Sequence, residues 1–500
     1  MLRVDLRIFR RLFVFFAIVA AWLGWSLVGQ MPLKEMKVTW TDGKRYKHVD
    51  LDPSDQEHAL FGTWDVGVGA THHLDFKTGM SGKLMDADLR LKGQLAPDRS
   101  WFASIKGGVV ELVDLPGRKT RFTWPDFWEP TVSNEQKQLA ALGASGDSRS
   151  LVITSVVGQF TEVRDVATGK RRLRLDDGGG TAAISADGSR LAVMDSLGVY
   201  HSDKVRIYDV ESGRKLTELA PPGDHSEYLL YSPNGRLLIG RDKNYTGDPK
   251  DPSRAEAELW SADFEKLATF HLTFRPNSLR LHHSTFSPDG RFLILSAALS
   301  EGMVWDLGVN PPRCIDEQLG LLPTGKDDVE MKFSKAGDQI AIRESSDVRL
   351  YQLPTLNEVP LSFEDVRSTE PFGFSPSGRW LSASKYRSGS DLQNHLWFYS
   401  DRWLSTSNWL AEEVVIWDTR TGEPRYRLPG KHVVAWTEDA SKAWVLYEQA
   451  VDGYECTFRL YRLSNTPPWW LWLLTATGIG VIFWDIRRTW KRRTLASGVA

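Results

Sequence analysis

The chain of 500 residues has only two cysteines, Cys314 and Cys456. Two thiols are too few for a disulfide framework or a cysteine-based zinc site, and no CxxCH stretch exists for covalent haem. Net charge is also scarce: 62 Lys and Arg stand against 64 Asp and Glu, a formal −2. A nucleic-acid binder usually carries a basic surplus, so no nucleic-acid partner is expected. HExxH, GxSxG and P-loop sequences are all missing, which removes the commonest signatures of hydrolases and nucleotide enzymes. No catalytic residue and no cofactor is therefore expected.

Two short patterns come close to metal sites and fall short. His72-His73 and His282-His283 are adjacent pairs, and adjacent residues on a strand face opposite sides, so neither pair grips an ion jointly. The stretch Asp242–Asp251, DKNYTGDPKD, begins like a calcium loop, with Asp242, Asn244, Thr246 and Gly247 at alternating and bend positions. Ser253 stands where such a loop needs a bidentate Glu, and a surface turn explains the same letters.

What is present begins with two long apolar runs. From Leu12 to Gly29 the chain carries no charge, and Arg3, Arg7, Arg10 and Arg11 precede it. A run of roughly 18 residues is at the lower limit for spanning a ~30 Å hydrocarbon core. A cleaved signal peptide is the alternative. Trp22 and Trp25 occupy the place of the small residues a cleavage site needs, which favours an uncleaved anchor. The second run, from Pro467, has Trp469, Trp470 and Trp472 at one end and Trp484 and Trp490 at the other, as for rings at two headgroup levels. Arg487, Arg488, Lys491, Arg492 and Arg493 follow and mark a cytoplasmic flank. Both termini are expected in the cytoplasm, with the chain between the runs outside. Ala20/Gly24 and Ala476/Gly480 are small-xxx-small pairs on which the two helices would meet.

Between the runs a turn motif recurs: LAPDRSW at Leu95, ASGDSRSL at Ala144, ISADGSRL at Ile184, YSPNGRLL at Tyr231, FSPDGRFL at Phe286, FSKAGDQI at Phe333, FSPSGRWL at Phe374 and WTEDASKA at Trp436. Pro, Asn, Asp and Gly at those offsets supply the restricted or positive φ of a tight turn. A second motif follows each, as in TEVRDVATG at Thr161, VRIYDVESG at Val205, GMVWDLG at Gly302 and VVIWDTRTG at Val414. The period of roughly 40–50 residues is that of four-stranded propeller blades.

These residues resemble the WD40 repeat family in its divergent bacterial form. Trp305-Asp306 and Trp417-Asp418 match the signature dipeptide, while the family's Gly-His survives only as PGDH ending at His225 and PGKH ending at His432. The family's His–Asp–Trp network is thus expected to be missing from most blades. The resemblance implies an all-β fold, a single β-propeller; the eight turn motifs give it eight blades, with seven as the alternative, and the two apolar runs flank it as N- and C-terminal transmembrane helices. The organisation expected is a cytoplasmic N-terminus 1–11, a transmembrane helix 12–30, the propeller 36–465, a transmembrane helix 467–486 and a basic cytoplasmic tail 487–500. The last recognisable strand runs straight into the apolar segment, so strands from 36–90 are expected to complete the last blade, because open edges invite aggregation.

The longest insertions fall between second and third strands, at Arg241 and at Ser384. The latter holds Tyr386, Arg387, Trp397, Tyr399, Arg402, Trp403 and Trp409. Aromatics and arginine dominate binding hot spots, and loops on a rigid scaffold are where function concentrates. A small hairpin folding onto the ring, or contact with the membrane, would use the same residues. The expected function is a non-enzymatic scaffold that holds an unidentified protein partner outside a membrane in which two helices anchor it. The alternative is an enzyme or a binder of a sugar, cofactor or other small molecule in the central channel.

Overall fold

The computed structural model describes residues 11–22, 32–39, 58–65, 68–75, 81–85, 93–98, 100–106, 109–115, 117, 119–124, 140–155, 160–176, 180–197, 200–220, 225–243, 254–273, 284–296, 302–315, 329–344, 347–361, 372–385, 413–430, 432–436, 441–449, 455–463 and 469–497. Eight antiparallel four-stranded sheets follow one another along the chain. Seven are simple meanders: first blade 93–124, second 140–175, third 182–219, fourth 225–273, fifth 285–314, sixth 329–359 and seventh 373–429. The eighth takes three strands from the end of the chain, His432–Trp436, Lys442–Gln449 and Glu455–Arg462. Its outer strand comes from near the start, Lys34–Thr39.

The strand sequences explain why the sheets stack. FLILS (Phe292–Ser296) and SLVITS (Ser150–Ser155) are near-continuous apolar or small runs rather than alternating ones. A strand reads this way when both faces of its sheet are covered. Seven apolar clusters lie between neighbouring blades, joining first to second and so on through seventh to eighth. Trp417, fully buried, belongs to the cluster shared by sixth and seventh blades. Neighbouring blades also approach through their first strands, as Ala182–Ile184 does with His225–Tyr231.

In the second to seventh blades the turn between first and second strands is closed by a buried serine whose hydroxyl accepts a backbone N–H. Ser287 Oγ donates to Asp289 Oδ1 (2.5 Å) and accepts from the Phe292 N–H (2.8 Å). Ser185 does the same with Asp187 (2.6 Å) and the Arg190 N–H (3.0 Å), and Ser145, Ser232 and Ser334 repeat it. These hydroxyls sit on a few per cent or less of exposed surface, where an unmade hydrogen bond is costly. The turns also touch around the ring: the Asp147 N–H reaches Ala186 O (2.7 Å), and Asp98 N–H reaches Ser148 Oγ (3.0 Å). Just after the turn, Arg236 Nη1 donates to Leu307 O of the next blade (3.2 Å), and Gln339 Nε2 to Thr419 O of the next (3.1 Å). Arg190 likewise reaches Ala262 O.

The second motif is a cap on the turn between third and fourth strands. Asp165 Oδ1 accepts from the Thr168 N–H and hydroxyl (both 2.7 Å), and Asp209 from Ser212 (2.7 and 2.6 Å). At 422 the glycine adopts φ +71, and a Cβ there would collide with the Pro360 carbonyl of the preceding blade. The Trp-Asp pair in the fifth blade is wired differently from a full WD40 repeat. Asp306 accepts from Arg291 Nε and Nη2 (3.1 and 3.0 Å) and from the Gly308 N–H (2.8 Å), while Trp305 Nε1 is buried with no hydrogen-bond partner among the described residues.

Closure comes from Lys34–Thr39, which pairs antiparallel with Glu455–Arg462 in the register Met36↔Phe458. Glu35 meets Arg459 Nε at 2.8 Å, and Met36 is buried. The remainder of the segment expected to finish the last blade does something else. His58–Asp65, Val68–Asp75 and Ser81–Met85 form a separate three-stranded sheet. Its first strand lies against His432–Trp436, as first strands do elsewhere in the ring. The count of eight turn motifs misses it because its first hairpin turns in two residues, Asp65 pairing with Val68, with no Ser–Asp clamp. Among the described residues there are thus eight four-stranded sheets, one more than the seven-blade alternative has, and a ninth, smaller one.

Two helices flank the ring, α1 (11–22) and α2 (Trp469–Ser497). Among the described residues no helix is long and apolar enough to cross a membrane, a departure from the two spans expected. The described α1 is only about 18 Å long at 1.5 Å per residue, against a core of ~30 Å. In α2 the apolar part meets Asp485, Arg487 and Arg488 before it is much longer.

Removing one clamp hydroxyl, Ser287→Ala, leaves the Phe292 N–H buried without an acceptor and should cost about 1–3 kcal/mol, read as a lowered urea midpoint. Acid should weaken the fifth blade through Asp306. The hydrogen bonds from Arg291 hold the Asp306 carboxyl below its ordinary 3.8, against the opposing pull of burial. The stability this lends is complete above the unfolded-state value and is lost as pH falls through the lowered one. Arg291→Gln should therefore flatten the fall in melting temperature below pH ~4.

Candidate functional site: the helical pair at the ring closure

The closing strand pair fixes where α1 and α2 leave the ring. Chain entering at Lys34 and chain leaving at Arg462 are at the same end of two paired strands. Two helices emerging there are forced side by side. They run antiparallel: Trp22 near the ring end of α1 donates its Nε1–H to Thr475 Oγ1 (2.9 Å) and meets the Trp472 ring edge-on at 5.2 Å between centroids. Further out, Val14 and Ile18 close over Gly478, where a Cβ would stand 2.5 Å from Ile18 Cδ1.

The facing stripe of α2 is Leu471, Thr475, Gly478 and Ile482, which are buried or half-buried. This spacing follows the helical period. It corrects the small-xxx-small expectation: Ala20, Ala476 and Gly480 are exposed, Gly480 has open space beside it, and Gly24 lies outside the described residues. The residues of α2 that face α1 are thus Gly478 and its helical neighbours, a choice the small-residue spacing does not report.

Polar groups on the pair are satisfied internally. Thr475 Oγ1 donates to Leu471 O (2.8 Å), and Thr477 Oγ1 to Leu473 O (2.8 Å), an arrangement suited to surroundings without water. The outer faces are apolar and bare. Of fifteen exposed large apolar side chains among the described residues, twelve lie on these helices, with Phe13 at 67% and Phe483 at 70%. A contiguous exposed patch of that kind marks a surface built to be covered by lipid or protein. Beyond it, Arg487 and Arg488 are exposed, and the Arg488 guanidinium lies over the Trp484 ring at 5.1 Å.

The residues singled out from sequence for binding, Tyr386, Arg387, Trp397, Tyr399, Arg402, Trp403 and Trp409, lie outside the described residues. So do His282-His283 and most of the Asp242–Asp251 stretch. The strands bounding both insertions are described, and they fix which face the insertions leave from. Trp380–Lys385 ends opposite Glu413, and Leu237–Lys243 ends opposite Arg254, each a second strand handing over to a third. The serine turns lie at the other end of those second strands, and in the eighth blade the helices attach at the serine-turn end. The strand ends that bound both insertions therefore lie on the face turned away from the helices. Among the described residues no group of three or more His, Cys, Asp or Glu side chains gathers to hold a metal. Cys314 is buried in the fifth blade and Cys456 lies on the closing strand pair of the eighth.

No family model matches the chain, and no curated protein does. Among solved structures it is similar to a eukaryotic initiation factor at 11% identity, covering 83% of this chain and 95% of that one with a TM-score of 0.50. It is also similar to the computationally designed Ika8 protein at 13% identity (72% and 93% covered, TM-score 0.41). A chain of a mitotic checkpoint complex matches at 14% identity (65% and 96% covered, TM-score 0.39). The likeness to the first concerns the fold alone. The architecture is propeller-like.

If Gly478 is the contact that lets the helices approach, Gly478→Leu should push α1 outward by about 1–2 Å, since interaxial distance follows the side chains at the crossing. Spin labels at Phe13 and Phe483 would read the change, while labels placed within the ring should not move.

Proposed function

We propose that this protein is a membrane-anchored, WD40-like propeller that presents a protein-binding face away from the bilayer. The observation that carries the reading is the split between the two faces. The helical pair, with nearly all the exposed large apolar side chains among the described residues, leaves from the serine-turn face, and the strand ends that bound the long insertions lie on the opposite one. An apolar surface of that size at a ring face needs a cover. Lipid suits it because the threonine hydroxyls and the Trp22 indole are already satisfied within the pair. The apolar run Leu12–Gly29 also extends beyond the described part of α1.

In this reading the apolar part of α2 sits in the bilayer, both termini are cytoplasmic and the ring is outside. Insertion 386–412, with Trp397, Trp403 and Trp409, is the surface for an unidentified protein partner, by the hot-spot preference for aromatic and arginine residues. The divergent Trp-Asp motifs and the meander blades support the WD40-like assignment, which is one of scaffold rather than catalyst.

Alkaline carbonate should leave the chain in the membrane pellet, and release into the supernatant would overturn the anchor. From detergent-solubilised membranes, the Trp397→Ala, Trp403→Ala, Trp409→Ala chain should lose co-purifying proteins at least about tenfold, given ~2 kcal/mol or more for each hot-spot residue. Its melting temperature should stay within a degree or two. Unchanged co-purification would move the partner site elsewhere.

A further inference from the structure

Arg11 and the basic end of α2, nearly five hundred residues apart in the chain, come to the same end of the helical pair. Because α1 runs toward the ring and α2 away from it, the contacts Trp22–Thr475 and Val14/Ile18–Gly478 place the two chains in antiparallel order. Following that order outward, the Arg11 end of α1 approaches the Arg487–Arg488 end of α2. The helix of α2 continues unbroken to Ser497, so Lys491, Arg492 and Arg493 lie on its next turns. One acidic residue, Asp485, stands among them. The far end of the helical pair is therefore strongly basic, in a chain whose net charge is −2.

We infer that this end is a binding site for the headgroups of anionic phospholipids, a reading that rests on the membrane anchor proposed above. Three observations point to lipid phosphate. The basic end continues directly from the bare apolar surface of Ile479, Val481, Phe483 and Trp484, so a ligand there must join an apolar phase to a charged one. Trp484 lies at that junction, and indole rings favour the headgroup level. Arg488 is stacked over the same ring at 5.1 Å, which holds its guanidinium beside the junction and leaves its N–H edge for a phosphodiester. Arginine forks match phosphate oxygens geometrically, and a membrane-proximal group of basic residues gains roughly 1 kcal/mol per charge from an anionic leaflet.

The test uses the full chain reconstituted in phosphatidylcholine bilayers. Part of the lipid is replaced by brominated phosphatidylglycerol or, at the same fraction, by brominated phosphatidylcholine, and tryptophan quenching is followed. Phosphatidylglycerol should quench with the higher relative association constant, and high salt should reduce the difference. Arg487→Gln with Arg488→Gln should lower that preference by about fivefold for each charge removed, whereas Arg420→Gln, an exposed arginine on the ring, should not change it. Equal quenching by the two lipids would overturn the headgroup site while leaving the anchor intact. No quenching by either lipid would overturn the anchor and the site together. Retention of the preference in the double variant would show that other residues set it, and would overturn this assignment.

Discussion

The pairing of Lys34–Thr39 with Glu455–Arg462 is the contact on which the rest of the architecture hangs. A row of blades has two open edges, each with unpaired backbone donors and acceptors, and each is a template for aggregation. Supplying the outer strand of the last blade from the start of the chain covers the final strand and ties the ring. It also commits the flanking segments, since the residues before Lys34 and after Arg462 emerge at one place. The helices pack on each other because the strands do, and the basic ends meet because the helices do.

Inside the ring, stability is spread rather than concentrated. Blades stack face to face, so strands such as Phe292–Ser296 are largely apolar while outer strands such as Lys119–Trp124 carry exposed polar side chains, and the buried polar backbone of the turns has to be satisfied locally. A buried serine hydroxyl that both donates and accepts does this repeatedly, with an Asp or Asn two residues on or an Asp four residues on as its acceptor. The same turns touch their neighbours around the ring, and an Arg or Gln just beyond them reaches a carbonyl of the next blade. Polar chemistry thus links blades at the turns, while apolar clusters link them along the strands. Such a frame leaves few large apolar side chains outside, which is why the bare surface of α1 and α2 stands out against it.

The direction of each strand has functional weight. A second strand starts at the serine-turn face and ends at the other, so insertions after second strands are carried to the side opposite the helices. In the function proposed above, one face is held at a membrane and the other presents a binding surface.

Much of this was legible in the letters. The serine turns and the aromatic-Asp pairs recur at blade spacing, so the repeat, the strand sequence and the need for a closing strand follow from local periodicity and from the cost of an open edge. The tryptophan-flanked apolar run and its arginines are equally local. The rest depends on contacts between distant segments. The sheet at 58–85 lacks the clamp that marks the other blades, and its strands show only once paired. The small-residue spacing of α2 pointed to Ala476 and Gly480, yet the facing residue is Gly478, because which side of a helix is covered depends on the partner packed against it and not on its own spacing. Local sequence determines which elements form, since turn chemistry and hydrophobic period act within a few residues. Only the closed ring decides which ends meet and which faces are opposed, because those are fixed by pairing across more than four hundred positions.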